Sequence, residues 1–380
     1  MILLAAESTA LSLSIDGPRL FLRRLFPRLE RPLDTRLKDL TLLLDASRDM
    51  NVSVPWNAPK FVWSTAWKLH ERLLPFLHYW DSCLSKNTNL NLAVLWWKSI
   101  SGNRKGTIVA DGGIAYDFLP SFTRLLVSFP LAYLYPNLHH QNVAIRTRYL
   151  DTMIKTEIAS IRKAYGSEEL IDIVVLGSGF DPRAVKFLGN AEERGEEIGL
   201  VNWSEVDLPE VIEQKCKIFA RFLSRRKKVF SARMPSLYGG DLNDIAKIKD
   251  VLNAILKKND ETGSLIIVVE AVLMYLQEEK VKPLLQMCFN EVGKVHSNRR
   301  VSFVFADRLD NEISGNVVNC CKTLKEEKNA ACRYLNDIGM ELVDWRPKPG
   351  RARHMGVARV LGRNKVDDAN RIISSAHVPA

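Results

Sequence analysis

The sequence has few cysteines, no long apolar run and no metal-ligating motif, and each absence excludes a class of protein. Six cysteines occur in 380 residues, and none of them forms a C-x-x-C pair. A disulfide framework or a structural zinc site is therefore not expected, and a reducing compartment is the default. No stretch reaches the roughly 18 consecutive apolar residues of a membrane-spanning helix. His139-His140 has no third ligand at a metal spacing, and His354 stands alone along the chain, so we predict no metal site.

The overall composition is that of a globular protein with an excess of basic residues. Apolar residues make up 46% and charged residues 26% of the chain, and the net charge is +10. A positive balance favours anionic partners such as acidic peptides or nucleic acid. We expect a cytoplasmic protein without a membrane partner. The arginine bias between Arg19 and Arg31 makes an organellar transit peptide the alternative, although the acids Asp16 and Glu30 argue against it.

Changes in sequence texture divide the chain into four regions. Residues 1–60 mix leucine, arginine and proline without a period, which predicts an N-terminal extension. Residues 61–160 hold apolar residues at helical spacing and, with residues 1–60, six of the eight tryptophans. This pattern predicts a helical cap whose aromatic rings form its core or line a substrate cleft. Residues 161–365 predict an α/β core, and residues 366–380 a C-terminal tail.

The α/β region alternates short β-branched apolar runs with helical segments. The runs predicted to be strands begin at Ile171, Leu200, Leu265 and Arg300, and two further strands close the chain near Met340 and Met355. Continuous apolar runs separated by helices are typical of a parallel sheet that is covered on both faces. The fold class predicted is a doubly wound, mostly parallel α/β sheet, Rossmann-like, with an N-terminal helical cap.

Glycine and acidic residues follow the predicted strands, where the ligands of open α/β sheets bind. Gly177-Ser178-Gly179 follows the first strand and Asp207 the second, 30 residues after Gly177. Glycine lets a backbone approach a ligand closely, and an acid at the end of the second strand is placed to bind two ribose hydroxyls. Further acids come later, at Asp241, Asp244 and Glu270.

Two observations favour an adenosyl sulfonium cofactor over a dinucleotide. The dinucleotide fingerprint G-x-G-x-x-G has Pro182 in its third glycine position, so the motif is incomplete. The acids at the strand ends, including Asp181, would repel a pyrophosphate. S-adenosylmethionine carries a sulfonium cation and no phosphate, so an acid-rich, glycine-lined edge suits it.

Five segments in this order resemble the leucine carboxyl methyltransferase family, over roughly residues 145–310. They are Arg146-Thr-Arg-Tyr-Leu-Asp151, Val174-Val-Leu-Gly-Ser-Gly-Phe-Asp-Pro-Arg183, Glu205-Val-Asp-Leu-Pro-Glu210, Gly240-Asp-Leu-Asn-Asp244 and Glu270-Ala-Val-Leu-Met-Tyr-Leu276. The resemblance implies a class I S-adenosylmethionine-dependent methyltransferase that esterifies a carboxylate. In the best-known branch, the acceptor is the C-terminal leucine of the protein phosphatase 2A catalytic subunit.

The resemblance also implies a role for each residue of the motifs. Arg148 pairs with the methionine carboxylate of the cofactor, the turn Gly177-Ser178-Gly179 lies against it, and Asp207 holds the ribose. Asp241 and Leu242 flank the adenine, and Glu270 contacts the methionine end. Arg146 and Tyr275, next to these motifs, are the candidates for positioning the acceptor.

Three functions remain open from the sequence. The first is a carboxyl O-methyltransferase that acts on a protein C-terminus or a small acid, and it needs no general base because a carboxylate is already a nucleophile. The second belongs to a family branch that methylates the carboxylate of a wybutosine-type tRNA base, for which the positive charge would help. The sequence lacks, however, the interleaving of aromatic and basic residues typical of RNA-stacking surfaces. The third is a non-catalytic interaction module, against which the intact set of acids speaks.

Overall fold

The computed structural model describes the chain in ten stretches. They are residues 89–103, 113–120, 124, 137–194, 200–225, 234–258, 263–295, 300–309, 324–347 and 354–360. The predicted N-terminal extension, the first part of the predicted cap and the predicted C-terminal tail lie outside the described residues.

A single seven-stranded sheet forms the centre of the described part. Its strands are β1 Ile171–Leu176, β2 Val201–Asp207, β3 Ser236–Gly239, β4 Ser264–Glu270, β5 Val301–Asp307, β6 Met340–Pro347 and β7 His354–Val360. The spatial order is β3-β2-β1-β4-β5-β7-β6. The five strands from β3 to β5 run parallel, and β7 is antiparallel to both β5 and β6. The predicted doubly wound, mostly parallel α/β fold is confirmed.

Helices precede the sheet and connect its strands. They are α1 Asn89–Asn103, α2 Ile114–Phe118, α3 Asn137–Tyr165, α4 Arg183–Arg194, α5 Pro209–Arg225, α6 Ile245–Lys258, α7 Glu278–Val295 and α8 Leu324–Asp337. Helix α5 begins at Pro209, whose fixed φ and missing N–H suit a first helical position. Helix α3 continues across residue 160, the predicted border between cap and core. No helix within the described stretches is long and apolar enough to cross a membrane.

Apolar side chains pack on both faces of the sheet. Odd-numbered residues of β1, such as Ile173, pack with α3 and α4 on one face. Even-numbered residues, such as Val174, pack with α6, α7 and α8 on the other face. A third cluster joins α1 and α2 to α5 and to Phe180, which follows β1. The cap helices α1 and α2 are therefore packed onto the core beside the end of β1.

The topology brings the ends of the parallel strands to one edge of the sheet. Because β1, β2, β4 and β5 are parallel, Gly177, Asp207, Glu270 and Asp307 lie at the same edge. Strand β7 runs the other way, so its first residue, His354, pairs with Asp307 at this edge. We call it the carboxyl edge, and it is where ligands bind in open α/β sheets.

Candidate functional site

The turn after β1 requires glycine at two positions. Gly177 has φ +69° and Gly179 has φ +49°, in the left-handed region that other residues enter at a cost. A Cβ atom on Gly177 would lie 2.3 Å from Cγ2 of Val272, which follows β4. The glycine turn is therefore pressed against the segment after β4. The hydroxyl of Ser178 within this turn is buried and has no hydrogen-bond partner among the described residues.

Asp207, the predicted ribose ligand, lies next to this turn. Its Oδ2 accepts a 2.7 Å hydrogen bond from the backbone N–H of Gly179, and its Oδ1 accepts one of 2.7 Å from Leu208. Burial raises the pKa of Asp207 above its usual value, although these two N–H groups oppose the rise. The end of β2 is thus tied to the glycine turn by a carboxylate.

Glu270, at the end of β4, forms ion pairs with three cations. Its Oε1 lies 2.6 Å from Nε of Arg146 on α3, and its Oε2 lies 2.6 Å from Nη2 of Arg183 on α4. Nζ of Lys98 on α1 is 3.3 Å from the same Oε2. Burial alone would raise the pKa of Glu270, but Lys98, Arg183 and Arg146 together hold it well below the usual range. Glu270 is therefore an ionised centre that joins the cap to the core.

Two further carboxylates complete this ion network. Asp181, in the turn after β1, lies 2.7 Å from Nη1 of Arg183 and 3.1 Å from Nζ of Lys98. Asp151 of α3 lies 2.7 Å from Nε of Arg183 and 2.7 Å from Nζ of Lys186. We call these residues the Glu270 network: the carboxylates Asp151, Asp181 and Glu270 and the cations Lys98, Arg146, Arg183 and Lys186.

The Glu270 network adds cations to the electrostatic picture drawn from the sequence. The sequence predicted acids at the strand ends, and in the network four cations face three carboxylates. The cations come from α1, α3 and α4 rather than from the strand ends, so the spacing of strand-end residues did not reveal them. The network carries one net positive charge and offers donors for an anionic group.

Only part of the predicted adenine-binding segment after β3 is buried. Asp241 has an exposed side chain that accepts hydrogen bonds from the backbone and side-chain nitrogens of Asn243 at 2.9 and 3.0 Å. Leu242 is buried in the core cluster. Asp244 is exposed and caps α6, because its Oδ1 accepts a 3.1 Å hydrogen bond from the N–H of Lys247. The strand-end acid Asp244 therefore has a structural role as a helix cap.

The segment after β4 has an unusual backbone and exposes an aromatic ring. Ala271 has φ +53°, a conformation that costs a residue with a Cβ on the order of 1–2 kcal/mol. The carboxylate of Asp307 supports it by accepting hydrogen bonds from the N–H groups of Val272 and Leu273, at 2.5 and 3.0 Å. Tyr275 follows with 56% of its surface exposed, so its ring is available to an acceptor at this edge.

The two arginines of the α3 motif lie on different sides of the helix. Residues two apart on an α-helix are separated by about 200°. Arg146 is buried and contacts Glu270, whereas Arg148 is half-buried. Arg146 therefore belongs to the Glu270 network, and the cofactor role that the resemblance implies for Arg148 stays a prediction. Glu270 engages Nε of Arg146, which leaves its four terminal N–H donors for other acceptors.

Sequence reasoning missed two of the three cations that converge on Glu270, and one buried pair at the carboxyl edge. Lys98 and Arg183 lie within helices, where a basic residue is most often solvated, and only their burial shows otherwise. His354, which the sequence left isolated, has its Nε2 3.4 Å from Oε2 of the buried Glu327. The sequence did not reveal this pair, because a contact between β7 and α8 is not visible in local spacing. In the stretches that the structure describes, no three metal-ligating side chains cluster.

The donor set fits the charges of S-adenosylmethionine. The cofactor's methionine end is a zwitterion, and the Glu270 network supplies guanidinium donors for its carboxylate and a carboxylate for its ammonium group. The buried Ser178 hydroxyl in the glycine turn has no partner among the described residues and offers a hydrogen bond. Asp207 supplies oxygens of the type that bind two ribose hydroxyls.

Comparison with solved structures finds similar α/β proteins at low identity. TnmH has 13% identity and a TM-score of 0.31, with 62% of this chain and 60% of that chain covered. Magnesium protoporphyrin IX methyltransferase (ChlM) from Synechocystis PCC 6803, solved with bound SAH, has 10% identity and a TM-score of 0.32, with 59% and 86% covered. LepI in complex with SAM has 11% identity and a TM-score of 0.33, with 94% and 92% covered. The match thus spans three fifths of the TnmH chain, and no curated protein sequence matches.

The family comparison is more specific. The model of the leucine carboxyl methyltransferase family matches residues 135–289, a span that contains β1 to β4 and the site residues Arg146, Arg183, Asp207 and Glu270. The resemblance found in the sequence motifs is thereby confirmed. Residues 135–289 of this chain are therefore similar to the leucine carboxyl methyltransferase family, whose members use S-adenosylmethionine.

Proposed function

We propose that this protein is a carboxyl O-methyltransferase, which transfers a methyl group to the carboxylate of a protein C-terminal leucine or a small acid. The product is a methyl ester. The observation that carries the proposal is the convergence of three buried cations, Lys98, Arg146 and Arg183, on the carboxyl edge. Buried ammonium and guanidinium groups are strong hydrogen-bond donors for an anionic acceptor.

Residues at the carboxyl edge supply the cofactor site in this proposal. S-adenosylmethionine, when bound, supplies the methyl group. Arg146 holds the methionine carboxylate, in the role that the sequence motif assigned to Arg148, because Arg146 is the one that reaches Glu270. Glu270 holds the ammonium group of the methionine end, and Asp207 accepts hydrogen bonds from the ribose hydroxyls. The turn Gly177-Ser178-Gly179 permits the close approach of the cofactor, and Asp241 and Leu242 lie on the adenine side.

The chain's own residues contribute alignment rather than proton transfer. A carboxylate attacks as an anion, so no general base is required, and alignment of the reacting groups can supply several kcal/mol. Tyr275 is exposed at the carboxyl edge and contacts the acceptor in this proposal. The Asp307 carboxylate fixes the backbone that carries Tyr275.

Mass spectrometry with isotopically labelled cofactor tests the proposal. The panel contains a peptide that ends in leucine, the same peptide as its C-terminal amide, and a set of small carboxylic acids. We expect a label that alkali removes, as an ester requires, on the free peptide or on an acid but not on the amide. An alkali-stable label, or equal labelling of peptide and amide, contradicts carboxyl methylation.

A matched pair of variants tests the cofactor assignment. Arg146→Met should weaken the binding of S-adenosylhomocysteine by about 10- to 100-fold, because a charge-assisted hydrogen bond is worth about 1.5–3 kcal/mol. Asp207→Ala should weaken it by a similar factor through the loss of the ribose contacts. Arg148→Met is the control and should leave the affinity within about twofold, since it lies on another side of α3. Calorimetric titration measures all three, and the reverse order of the two arginine variants would restore the assignment to Arg148.

The net charge of +10 favours a second candidate, methylation of a carboxylate on a wybutosine-type tRNA base. Binding that depends on phosphate contacts weakens steeply with salt. A filter-binding assay with tRNA between low and physiological salt distinguishes the candidates. A steep salt slope together with labelling of tRNA supports the RNA substrate, and a flat response excludes it.

A further inference from the structure

A buried ion pair lies below the carboxyl edge, outside the Glu270 network. Nζ of Lys215 on α5 is 2.5 Å from Oε2 of Glu205 on β2, and their side chains are 0% and 1% exposed. Nζ of Lys215 also lies 5.8 Å from the ring centre of Phe219, one turn further along α5. A buried pair of this kind contributes little stability compared with apolar side chains of the same size. The pair is therefore a candidate for a role other than packing.

The position of Lys215 connects it to the proposed ribose-binding carboxylate. Glu205 and Asp207 are two residues apart on β2, so their side chains lie on the same face of the sheet. Lys215 reaches that face from the second turn of α5, the helix that begins directly after Asp207 and Leu208. The ammonium group is therefore enclosed in the protein beside the end of β2.

We propose that Lys215 is a positioning residue of the cofactor site. Its buried ammonium group keeps Asp207 in the carboxylate form, which accepts the hydrogen bonds of the ribose hydroxyls. The inference depends on the proposed cofactor role of Asp207, and it adds a residue that neither the sequence motifs nor the family match assigned.

The charges around Asp207 agree with this role. Burial raises the pKa of Asp207, and the N–H groups of Gly179 and Leu208 and the charge of Lys215 lower it. Glu210, in the first turn of α5, acts in the opposite direction. Lys215 is the only positive side chain among these principal influences on Asp207 in the described part of the chain.

The remaining titratable groups near the pair are Glu205 on β2 and Asp181 in the turn after β1. Lys215 also lowers the pKa of Asp181, after burial and the larger effects of Arg183 and Lys98. For Glu205, burial exceeds the effect of Lys215, and the pKa is raised. The charge of Lys215 thus acts on Asp181, Glu205 and Asp207. When Glu205 is replaced, Asp181 and Asp207 still interact with it.

Two variants that break the same ion pair separate positioning from stability. Lys215→Met removes the cation, and Glu205→Gln removes its buried partner while Lys215 still faces Asp181 and Asp207. A purely structural role predicts that both variants behave alike. The proposal predicts opposite effects on Asp207, because only Lys215→Met removes the charge that favours its carboxylate form.

The first measurement is a carbon-13 NMR titration of the aspartate carboxyl carbons in the cofactor-free protein. The Asp207 signal is assigned by its loss in Asp207→Asn. We expect the Asp207 midpoint to move to higher pH in Lys215→Met and to stay or move to lower pH in Glu205→Gln. Equal midpoints in wild type and Lys215→Met, or an upward shift in both variants, would overturn the proposal. If Lys215→Met does not fold, the direction of the shift in Glu205→Gln alone decides.

The second measurement is the affinity for S-adenosylhomocysteine as a function of pH. In Lys215→Met the affinity should fall at a higher pH than in wild type, with a loss of about tenfold or more once Asp207 is protonated. The Glu205→Gln profile should follow wild type or be displaced to lower pH. If wild type does not bind S-adenosylhomocysteine, the proposed function fails. If it binds and its profile coincides with that of Lys215→Met, only the inference about Lys215 fails.

Discussion

Replacement of Arg183 by methionine tests how much the Glu270 network contributes to the free energy of unfolding. Arg183 is 2% exposed and pairs with Asp151, Asp181 and Glu270 at 2.6 to 2.7 Å. Methionine keeps most of the volume and removes the charge. Breaking a buried ion pair by removing one partner costs about 3–5 kcal/mol. Because Lys98 and Arg146 still face Glu270, we expect a loss of about 3 kcal/mol in the free energy of unfolding near neutral pH.

The loss should depend on pH in a defined direction. In wild type, burial raises the pKa of Glu270 and Asp181, but the surrounding cations bring both below their usual values. Ionisation of these acids therefore stabilises the native state above the pKa of the unfolded chain, and this stability is lost as the pH falls through the native pKa. In Arg183→Met the native-state pKa values of Glu270 and Asp181 rise, because the guanidinium group that favoured their ionised forms is gone. Both acids are then protonated at a higher pH than in wild type. The difference between wild type and variant should be largest near neutral pH and should shrink towards pH 4.

Urea unfolding at pH 7.5 and pH 5, followed by circular dichroism, gives both free energies. Lys217→Met is the matched control, since Lys217 pairs with Glu213 at a similar 2.7 Å but both side chains are exposed. The control should leave the unfolding midpoint unchanged, because exposed pairs contribute little. A loss below about 1 kcal/mol in Arg183→Met, or a loss that grows with acid, would refute the reasoning.

Three further predictions concern the glycine turn, the α6 cap and the methionine end of the cofactor. Gly177→Ala should abolish the binding of S-adenosylhomocysteine in calorimetry, because its Cβ would meet Val272 at 2.3 Å in a left-handed conformation; binding within tenfold of wild type would contradict this. Asp244→Ala should lower the free energy of unfolding by about 1 kcal/mol through loss of the α6 cap, with no change in cofactor affinity. 5′-Methylthioadenosine, which lacks the amino-acid end, should bind at least about 100-fold more weakly than S-adenosylhomocysteine, because it forfeits the charge-assisted contacts with Arg146 and Glu270; similar affinities would show that these residues do not hold the methionine end.

The sheet could be predicted from the sequence because its signal is local. Each buried parallel strand is a short β-branched run, and β1 Ile171–Leu176 was predicted with the bounds that the structure shows. The edge strand β3 was missed, since it has only four residues, Ser236–Gly239, and all are half-buried. The strand ends could also be predicted, and with them the positions of Gly177, Asp207 and Glu270.

The charge of the site could not be predicted in the same way. The carboxylates follow strands and are visible in the pattern, whereas Lys98, Arg146 and Arg183 come from three helices that are brought together by packing. A basic residue in a helix gives no sign of whether it faces solvent or a buried acid. The acids inferred from the sequence are therefore one half of an ion network. The other half consists of cations that only tertiary packing brings to them. The contact between His354 and Glu327 escaped detection for the same reason.

In the proposed reaction, the paired charges of the Glu270 network would let one site bind first a zwitterion and then an anion. Arg146 and Glu270 are already buried and paired at 2.6 Å. The free-energy cost of removing their charges from water therefore arises on folding and not on ligand binding. In the proposed site, Arg146 would hold the carboxylate and Glu270 the ammonium group of the methionine end, so neither protein charge would lose a partner. The cofactor then adds its sulfonium charge to a network that already has one net positive charge. In the proposed reaction, the sulfonium charge and the cations of the network would favour a carboxylate acceptor over a neutral group.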